Sequence, residues 1–206
     1  MSSTKIFISH AAEGKFLAGQ IKGYLLYNFG LDVFVAHDDI KPLSDWREEL
    51  LKGMKESNVI IILLTKDCRE SEWVDQESGM GVILGHKIIP ISVDGTTPHG
   101  FINKYQAFKW SGEFDAGMSR LITLMTRQGL ITIDNFIDKL DRTTDFHDAK
   151  RNLKTIMNME DDGVKLDQKQ VNRIVDITKH NYAVSNSFSA ESLIAEFIKK
   201  HKKDIE

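Results

Sequence analysis

Three short stretches of this chain gather side chains able to do chemistry. The first is Ser9-His10, a hydroxyl and an imidazole directly after the apolar run Ile6-Phe7-Ile8. The second is His37-Asp38-Asp39-Ile40-Lys41-Pro42-Leu43-Ser44-Asp45-Trp46-Arg47-Glu48, a loop of mixed charge around a proline that leads into a helix. Its length suits a mobile flap. Ser44 or Asp45 caps the helix, and Asp45 with Glu48 has capping-box spacing. Trp46, in the first turn, either stacks on a ligand or packs on Leu50. The third and sharpest is Ser71-Glu72-Trp73-Val74-Asp75-Gln76-Glu77-Ser78-Gly79-Met80-Gly81. Ser71 is the expected N-cap, with Glu72 and Asp75 favoured in the first turn by the helix dipole. At helical spacing Trp73, Glu77, Met80, Gly81 and Leu84 form one stripe, apolar except for Glu77. A carboxylate on such a face is paired with a cation, kept at the lip of a cleft, or held with a raised pKa, because a bare buried charge costs several kcal/mol. The pattern equally allows Glu77 to reach solvent or a lysine. Glycines one turn on admit the close approach of another backbone or a ligand.

These stretches need a frame to bring them together. Lys5–Ser9, Asp32–Ala36, Val59–Thr65 and Lys87–Val93 read as strands, with a fifth around 106–110. A helix carrying Phe16, Leu17, Ile21, Tyr24 and Leu25 on one stripe follows the first strand and closes at Gly30. A last helix is expected over about 113–127. Strands apolar on both faces, alternating with helices, imply a parallel sheet covered on each side. Pro90 removes a ladder donor and requires a place near an edge or a bulge. Ligands of such sheets bind at the carboxyl ends of the strands. Those ends carry Ser9-His10, His37-Asp38-Asp39, Thr65-Lys66-Asp67 and Asp94-Gly95, a polar and partly acidic rim.

Composition divides the chain near residue 128. All three prolines, all three tryptophans and 12 of the 14 glycines precede it, which predicts an α/β domain over 1–128 and a small helical domain over 129–206. No Pro- or Gly/Ser-rich linker separates them, so the two are expected to pack together. The 206 residues carry 27 basic and 30 acidic side chains, net charge −3, so nothing in the balance draws the protein to nucleic acid or anionic lipid. The longest apolar run, Val59–Leu64, is far too short to span a membrane, and no signal-like segment opens the chain. A single cysteine, Cys68, excludes an internal disulfide and a cysteine-based zinc site. The seven histidines are scattered, without a pair at ligand spacing beside a carboxylate, so no metal is expected. A soluble, cytoplasmic protein is expected.

Taken in order, Phe7-Ile8-Ser9-His10, then Asp38-Asp39-Ile40-Lys41-Pro42 through Asp45-Trp46, and Ser71-Glu72-Trp73 with Glu77 four residues after the tryptophan resemble a Toll/interleukin receptor (TIR) domain of the bacterial kind, over roughly residues 4–128. The resemblance implies a flavodoxin-like, doubly wound parallel sheet of about five strands, here followed by a C-terminal all-helical bundle. It also implies one of two activities. Some TIR domains cleave the nicotinamide–ribose bond of NAD, giving ADP-ribose or a cyclic signalling derivative; others are non-enzymatic adaptors that act through TIR–TIR contacts. In the catalytic branch the essential carboxylate is a glutamate on the helix after strand three, and Glu77 falls on it. The resemblance then places Ser9, His10, Asp39, Trp46, Ser71 and Trp73 around the substrate, with NAD as substrate and no cofactor. It further implies TIR–TIR self-association, a product read by a separate effector protein, and an antiphage role of the Thoeris type. The sequence departs from the family pattern at Gly14, where an acidic residue is frequent, at Leu43, where a glycine is, and at Val74, where a cysteine is.

The rivals are weaker. A receiver-like phosphorylation domain would need an aspartate closing strand three, and Asp67 lies two residues beyond Thr65. A nucleoside deoxyribosyltransferase also uses a glutamate against an N-glycosidic bond. In the C-terminal part, Ile133/Phe136/Ile137/Leu140, Leu153/Ile156/Met157, Val171/Ile174/Val175 and Leu193/Ile194/Phe197/Ile198 repeat at helical spacing and predict a small bundle. Glu160-Asp161-Asp162-Gly163 lacks the alternating oxygen ligands of a calcium loop and reads as a turn. Lys199–Lys203 reads as a solvated helix end.

Overall fold

The structure, a computed structural model, describes residues 4–36, 45–161, 163–186 and 191–201. The chain divides into two compact units, Met1–Leu130 and Ile131–Glu206. In the first, β1 (Lys5–His10), β2 (Asp32–Val35), β3 (Val59–Leu64), β4 (Lys87–Ser92) and β5 (Phe108–Lys109) form one sheet in the order β2-β1-β3-β4-β5. All four pairings are parallel. This is the flavodoxin-like order, and the direction of strand addition reverses between β1 and β3. Four helices connect the strands and close the unit: α1 (Lys15–Phe29), α2 (Trp46–Glu56), α3 (Glu72–Ile83) and α4 (Phe114–Arg127).

The residues of each element explain its place. Every residue of β3 is buried, as a central strand covered on both faces requires. Pro90 is accommodated near the edge: β5 pairs with β4 only at Ile91 and Ser92, so the ladder on that side stops short of the proline. Gly30 ends α1 in the left-handed conformation, φ 62°, with its N–H on the carbonyls of Leu25 and Leu26. The buried face of α1 is Ala18, Ile21, Leu25 and Phe29, which corrects the expected stripe. Phe16 is exposed because it lies five residues before Ile21, on the far side of the helix.

One core cluster lies on the face of the sheet covered by α2 and α3. Phe7, Ile60, Ile62 and Leu64 meet Leu50, Met54 and Val74 there, and Phe7 stacks on Phe34 with centroids 5.4 Å apart. Gly81 seats α3: a Cβ at that position would sit 3.1 Å from Ile60 Cγ2 and 3.3 Å from Ile88 Cδ1. A Cβ on Gly79 would meet the ring of Phe101 at 3.3 Å. Both glycines therefore admit the protein's own side chains, which settles the close approach anticipated from the sequence.

In the second unit α5 (Ile133–Arg142), α6 (Phe146–Asp161), α7 (Gln168–His180), α8 (Tyr182–Ser185) and α9 (Glu191–Lys200) bury the expected sets on α5, α6 and α7. In α9 only Phe197 is buried, and Ile198 is exposed. The basic run is not simply a solvated end. Lys200 reaches Asp161 at 2.9 Å and Glu160 at 3.5 Å, and His201 Nε2 lies 2.9 Å from Glu160 Oε1. Among the described residues no helix is long and apolar enough to cross a membrane.

The seat of Gly81 yields a direct expectation. Gly81→Val forces an isopropyl group between α3 and the β3–β4 pair and should lower unfolding free energy by about 1–3 kcal/mol in urea titration, with little change in m-value.

Candidate active site

The reversal of strand order falls between β1 and β3, and the polar residues collect at their carboxyl ends. Ser9 and His10 are the last two residues of β1, in register with Ile62 and Leu63 of β3. Because side chains alternate along a strand, Ser9 shares a face with Phe7, the face covered by α3. After β3 the chain makes a short 3₁₀ turn over Lys66–Glu70 and enters α3, where Ser71 accepts a hydrogen bond from Val74 N. One turn further on, Glu77 points down onto the end of β1.

There the Ser9 hydroxyl donates to Glu77 Oε2. Glu77 is 1% exposed, and its second oxygen, Oε1, is buried without a hydrogen-bond partner among the described residues. Burial pushes its pKa up to about 7, against the smaller opposing pull of the Ser9 hydrogen bond. The buried residues of α3 are Val74, Glu77, Ser78, Gly79 and Gly81. This corrects the expected stripe: Trp73 and Leu84 lie at its exposed margins, 40% and 46% accessible. Glu77 thus does not reach solvent, and among the described residues it pairs with no lysine.

Above this pair a cleft of about 410 Å³ opens between His10, Ala11, Ala12, Lys15, Asp67, Glu70, Ser71 and Trp73. Glu77 is not among these lining residues; it sits one helical turn on from Trp73 and contacts the residue before His10. Gly14 is buried beside His10, where a Cβ would stand 3.1 Å from His10 Cβ and 3.4 Å from Leu63 Cβ. Asp67 braces the cleft, with Oδ1 accepting from the Thr65 hydroxyl at 2.5 Å and Oδ2 from Glu13 N at 3.0 Å. Asp94 ties the end of β4 to the end of β3 by accepting from Lys66 N at 2.9 Å. Hydrogen bonds from Thr96 hold its carboxyl below the usual range.

Of the residues singled out in the sequence, the structure therefore joins Ser9 to Glu77 and places His10, Ser71 and Trp73 on the cleft. Trp46 is packed: its ring meets that of Trp73 edge-on at 4.7 Å, it lies against the core cluster, and the Arg47 guanidinium sits over it at 5.2 Å. Asp45, not a full capping box, caps α2 by accepting from Arg47 N. Asp39 lies outside the described residues, with the rest of 37–44. Lys15 and Glu70 on the cleft wall, and Gly14 behind His10, were not anticipated; the position of Lys15 at the first turn after strand one was the available signal. Among the described residues no cluster of three His, Cys, Asp or Glu side chains could hold a metal ion.

The sequence matches the TIR domain family over residues 6–122, more than half of the chain. The chain belongs to the TIR domain family. No curated protein matches it significantly. Among solved structures, this TIR protein is similar to the TIR domain of the Toll-related receptor TRR-2 from Hydra magnipapillata, at 20% identity and TM-score 0.48 over 62% of this chain and 95% of that one. It is also similar to a prokaryotic SEFIR domain, at 17% identity and TM-score 0.44 over 60% and 92% of the two chains. The TIR domains of the activated Roq1 resistosome match at 14% identity and TM-score 0.40, over 99% and 100%.

The buried acid has a measurable signature. The folded chain holds a proton on Glu77 over a pH range in which the unfolded chain has released it, so unfolding free energy falls as pH rises from the ordinary glutamate range to about 7. The loss attributable to this group is about 3 kcal/mol. Urea titrations at pH 5 and pH 8 should show it in the wild-type protein, and the difference should shrink by about that amount in Glu77→Gln.

Proposed function

We propose that this TIR protein cleaves the nicotinamide–ribose bond of NAD, releasing nicotinamide and ADP-ribose or a cyclic derivative of it. The observation that carries the reading is Glu77: a carboxylate buried at the strand-order reversal, with one oxygen held by Ser9 and the other left without a partner. A scaffold gains nothing from such a group, since an apolar side chain of similar size would pack there without the desolvation cost.

The chemistry suits one carboxylate. The nicotinamide ring is cationic in NAD, so it leaves with the bonding electrons as a neutral molecule and needs no proton from a general acid. Positive charge then develops on the ribose as an oxocarbenium ion. Glu77 Oε1 is the oxygen available to stabilise that charge, as carboxylates do in glycoside cleavage. Ser9 fixes the carboxyl orientation and favours its ionised form. Ser71 and the half-exposed ring of Trp73 offer a hydroxyl and an aromatic edge at the mouth of the cleft. Water captures the ion to give ADP-ribose, its proton passing to Glu77 or solvent; a nucleophilic atom of the substrate itself gives the cyclic product instead.

The wider setting follows from the motif resemblance alone: a cytoplasmic enzyme that works through TIR–TIR self-association, with a product read by a separate effector protein in antiphage defence. The non-enzymatic adaptor is the competing reading. Mass spectrometry of nucleotides, from purified protein and from phage-challenged cells, separates the two. The wild-type chain should consume NAD and Glu77→Ala should not, a loss of at least about 10³-fold, with both variants showing the same far-ultraviolet circular dichroism. NAD levels indifferent to Glu77 in both settings favour the adaptor.

A pH profile tests the role of Ser9. The carboxylate must be ionised to act, so kcat/KM should decline as pH drops below about 7. Ser9→Ala removes the donor that stabilises the ionised form and should move this acid limb to higher pH.

A further inference from the structure

We propose that a slot beside the amino-terminal half of β4 binds an uncharged planar heteroaromatic ring whose edge carries an N–H donor next to an acceptor, paired to the backbone C=O and N–H of Ile88. The inference is independent of the reading of Glu77. Ladder bonds fix which groups face the slot. Lys87 N donates to Asn58 O and Val93 N to Leu64 O, so the odd-numbered residues of β4 turn their N–H and C=O groups toward β3. Ile88, Pro90 and Ser92 turn theirs to the other side, where Ser92 O accepts from Trp110 N at 2.9 Å. On that side β5 is two residues long and in register with Ile91 and Ser92 alone. Among the described residues nothing bonds to Ile88 N–H, to Ile88 C=O or to the Pro90 carbonyl. Both residues are buried, and an interior backbone group without a partner is costly.

The slot has a volume of about 470 Å³ and lies between this edge, residues 105–108, and Leu124 and Gln128 of α4. It exists because the chain leaves the sheet just before β5: Tyr105 and Ala107 pack against the core cluster instead of pairing with β4. Its walls select the ligand. Lys87 Nζ is engaged by the Gln128 carbonyl at 2.9 Å. Burial lowers the pKa of His86, so its imidazole is neutral, with Nδ1 buried and unpartnered among the described residues. These walls favour an uncharged ligand over a phosphate or carboxylate. An extended peptide fits poorly, because Pro90 has no N–H and a strand laid along the edge would lose every second donor after Ile88. A ring needs one residue only, since the N–H and C=O of an extended residue point to the same side. Adenine presents N6–H beside N1, and a nicotinamide-type carboxamide presents its N–H beside its oxygen. Tyr105 and Phe108 supply aromatic surface for either ring.

The test is amide-resolved NMR titration of the full chain. The probes are adenosine and nicotinamide, each beside its N-dimethylated form, which keeps the ring and the acceptor and loses the donor. Adenosine, nicotinamide or both should move the Ile88 amide proton downfield and saturably, and whichever does so identifies the ring. Dimethylation should weaken that binding at least about tenfold, the loss of a single hydrogen bond. Ile88→Pro removes the donor without breaking a β3–β4 bond, as Pro90 already does two residues on. Followed at the Ala107 amide, it should bind at least about tenfold more weakly than Ile88→Val. Should Ile88→Pro fail to fold, the comparison of parent and dimethylated probes on the wild-type chain decides alone. Glu77→Ala should bind like wild type, which separates the slot from the cleft at the other end of the strands. The proposal is overturned if neither parent probe moves the Ile88 amide at millimolar concentration, or if the dimethylated forms bind as tightly as their parents. Undiminished binding in a folded Ile88→Pro, or loss of the Ile88 shift in Glu77→Ala, overturns it as well.

Discussion

A carboxylate removed from water at the end of β1 sets the terms for the rest of the first unit. Glu77 can be there only because α3 lies close enough to the sheet to carry it down onto Ser9, and α3 lies that close because Gly81 offers no side chain against Ile60 and Ile88. Ser9 can meet it only because β1 is an interior strand, flanked by β2 and β3. The strand-order reversal does the remaining work: it leaves the ends of β1 and β3 without a covering connection, so their polar residues face a cleft. Fold and site are one arrangement here, and the site opposes the stability of the fold. An uncharged side chain at position 77 would relieve the conflict, which is the pattern expected where a local rule is broken for function.

The other acids of the rim show by contrast what a structural carboxylate looks like. Asp67 accepts from Thr65 and from the backbone of Glu13, and so links the exit of β3 to the turn after β1. Asp94 accepts from Thr96 and Lys66, and so links the exits of β3 and β4. Both lie where water can reach them, and both oxygens of each accept from a donor. Glu77 has a single donor, is closed off from water, and keeps one oxygen bare. The three carboxylates belong to the same end of one sheet, and Glu77 has an environment that favours its neutral form. Position on a rim therefore says little by itself; the number of donors per oxygen discriminates.

Much of this was legible in the sequence. Strands announce themselves by β-branched runs, Ser71 and Asp45 by their places before helices, and Glu77 by being the one charge among small and apolar neighbours. What failed were the faces. Helical spacing fixes the angles between side chains but not which side meets the sheet, so Phe16 was placed inside and Trp73 on the inward stripe, whereas the buried line of α3 includes Val74 and Ser78. In α9 the same ambiguity left only Phe197 inside. Trp46 stood open between ligand and core, and in the structure its ring packs edge-on against Trp73. The Ser9–Glu77 bond joins residues 68 apart and has no local signal at all. Strand alternation alone would have put Ser9 on the face of Phe7, under α3, but the partner across the gap depends on tertiary placement.

The departure from the family pattern at Gly14 acquires a physical meaning in this setting. Position 14 is buried, and any side chain there would begin 3.1 Å from His10 Cβ and 3.4 Å from Leu63 Cβ, closer than ordinary packing. Leu63 lies in the central strand and cannot yield, so the imidazole would have to move. An acidic residue would also bring a charge into a place closed to water, beside a ring whose Nε2 is itself buried without a hydrogen-bond partner among the described residues. An imidazole at position 10 and a carboxylate at position 14 thus compete for one space and impose opposite electrostatics on it. The glycine leaves room for His10 to keep its Nδ1 on the Ala11 carbonyl, so positions 10 and 14 form one packed unit beside the cleft.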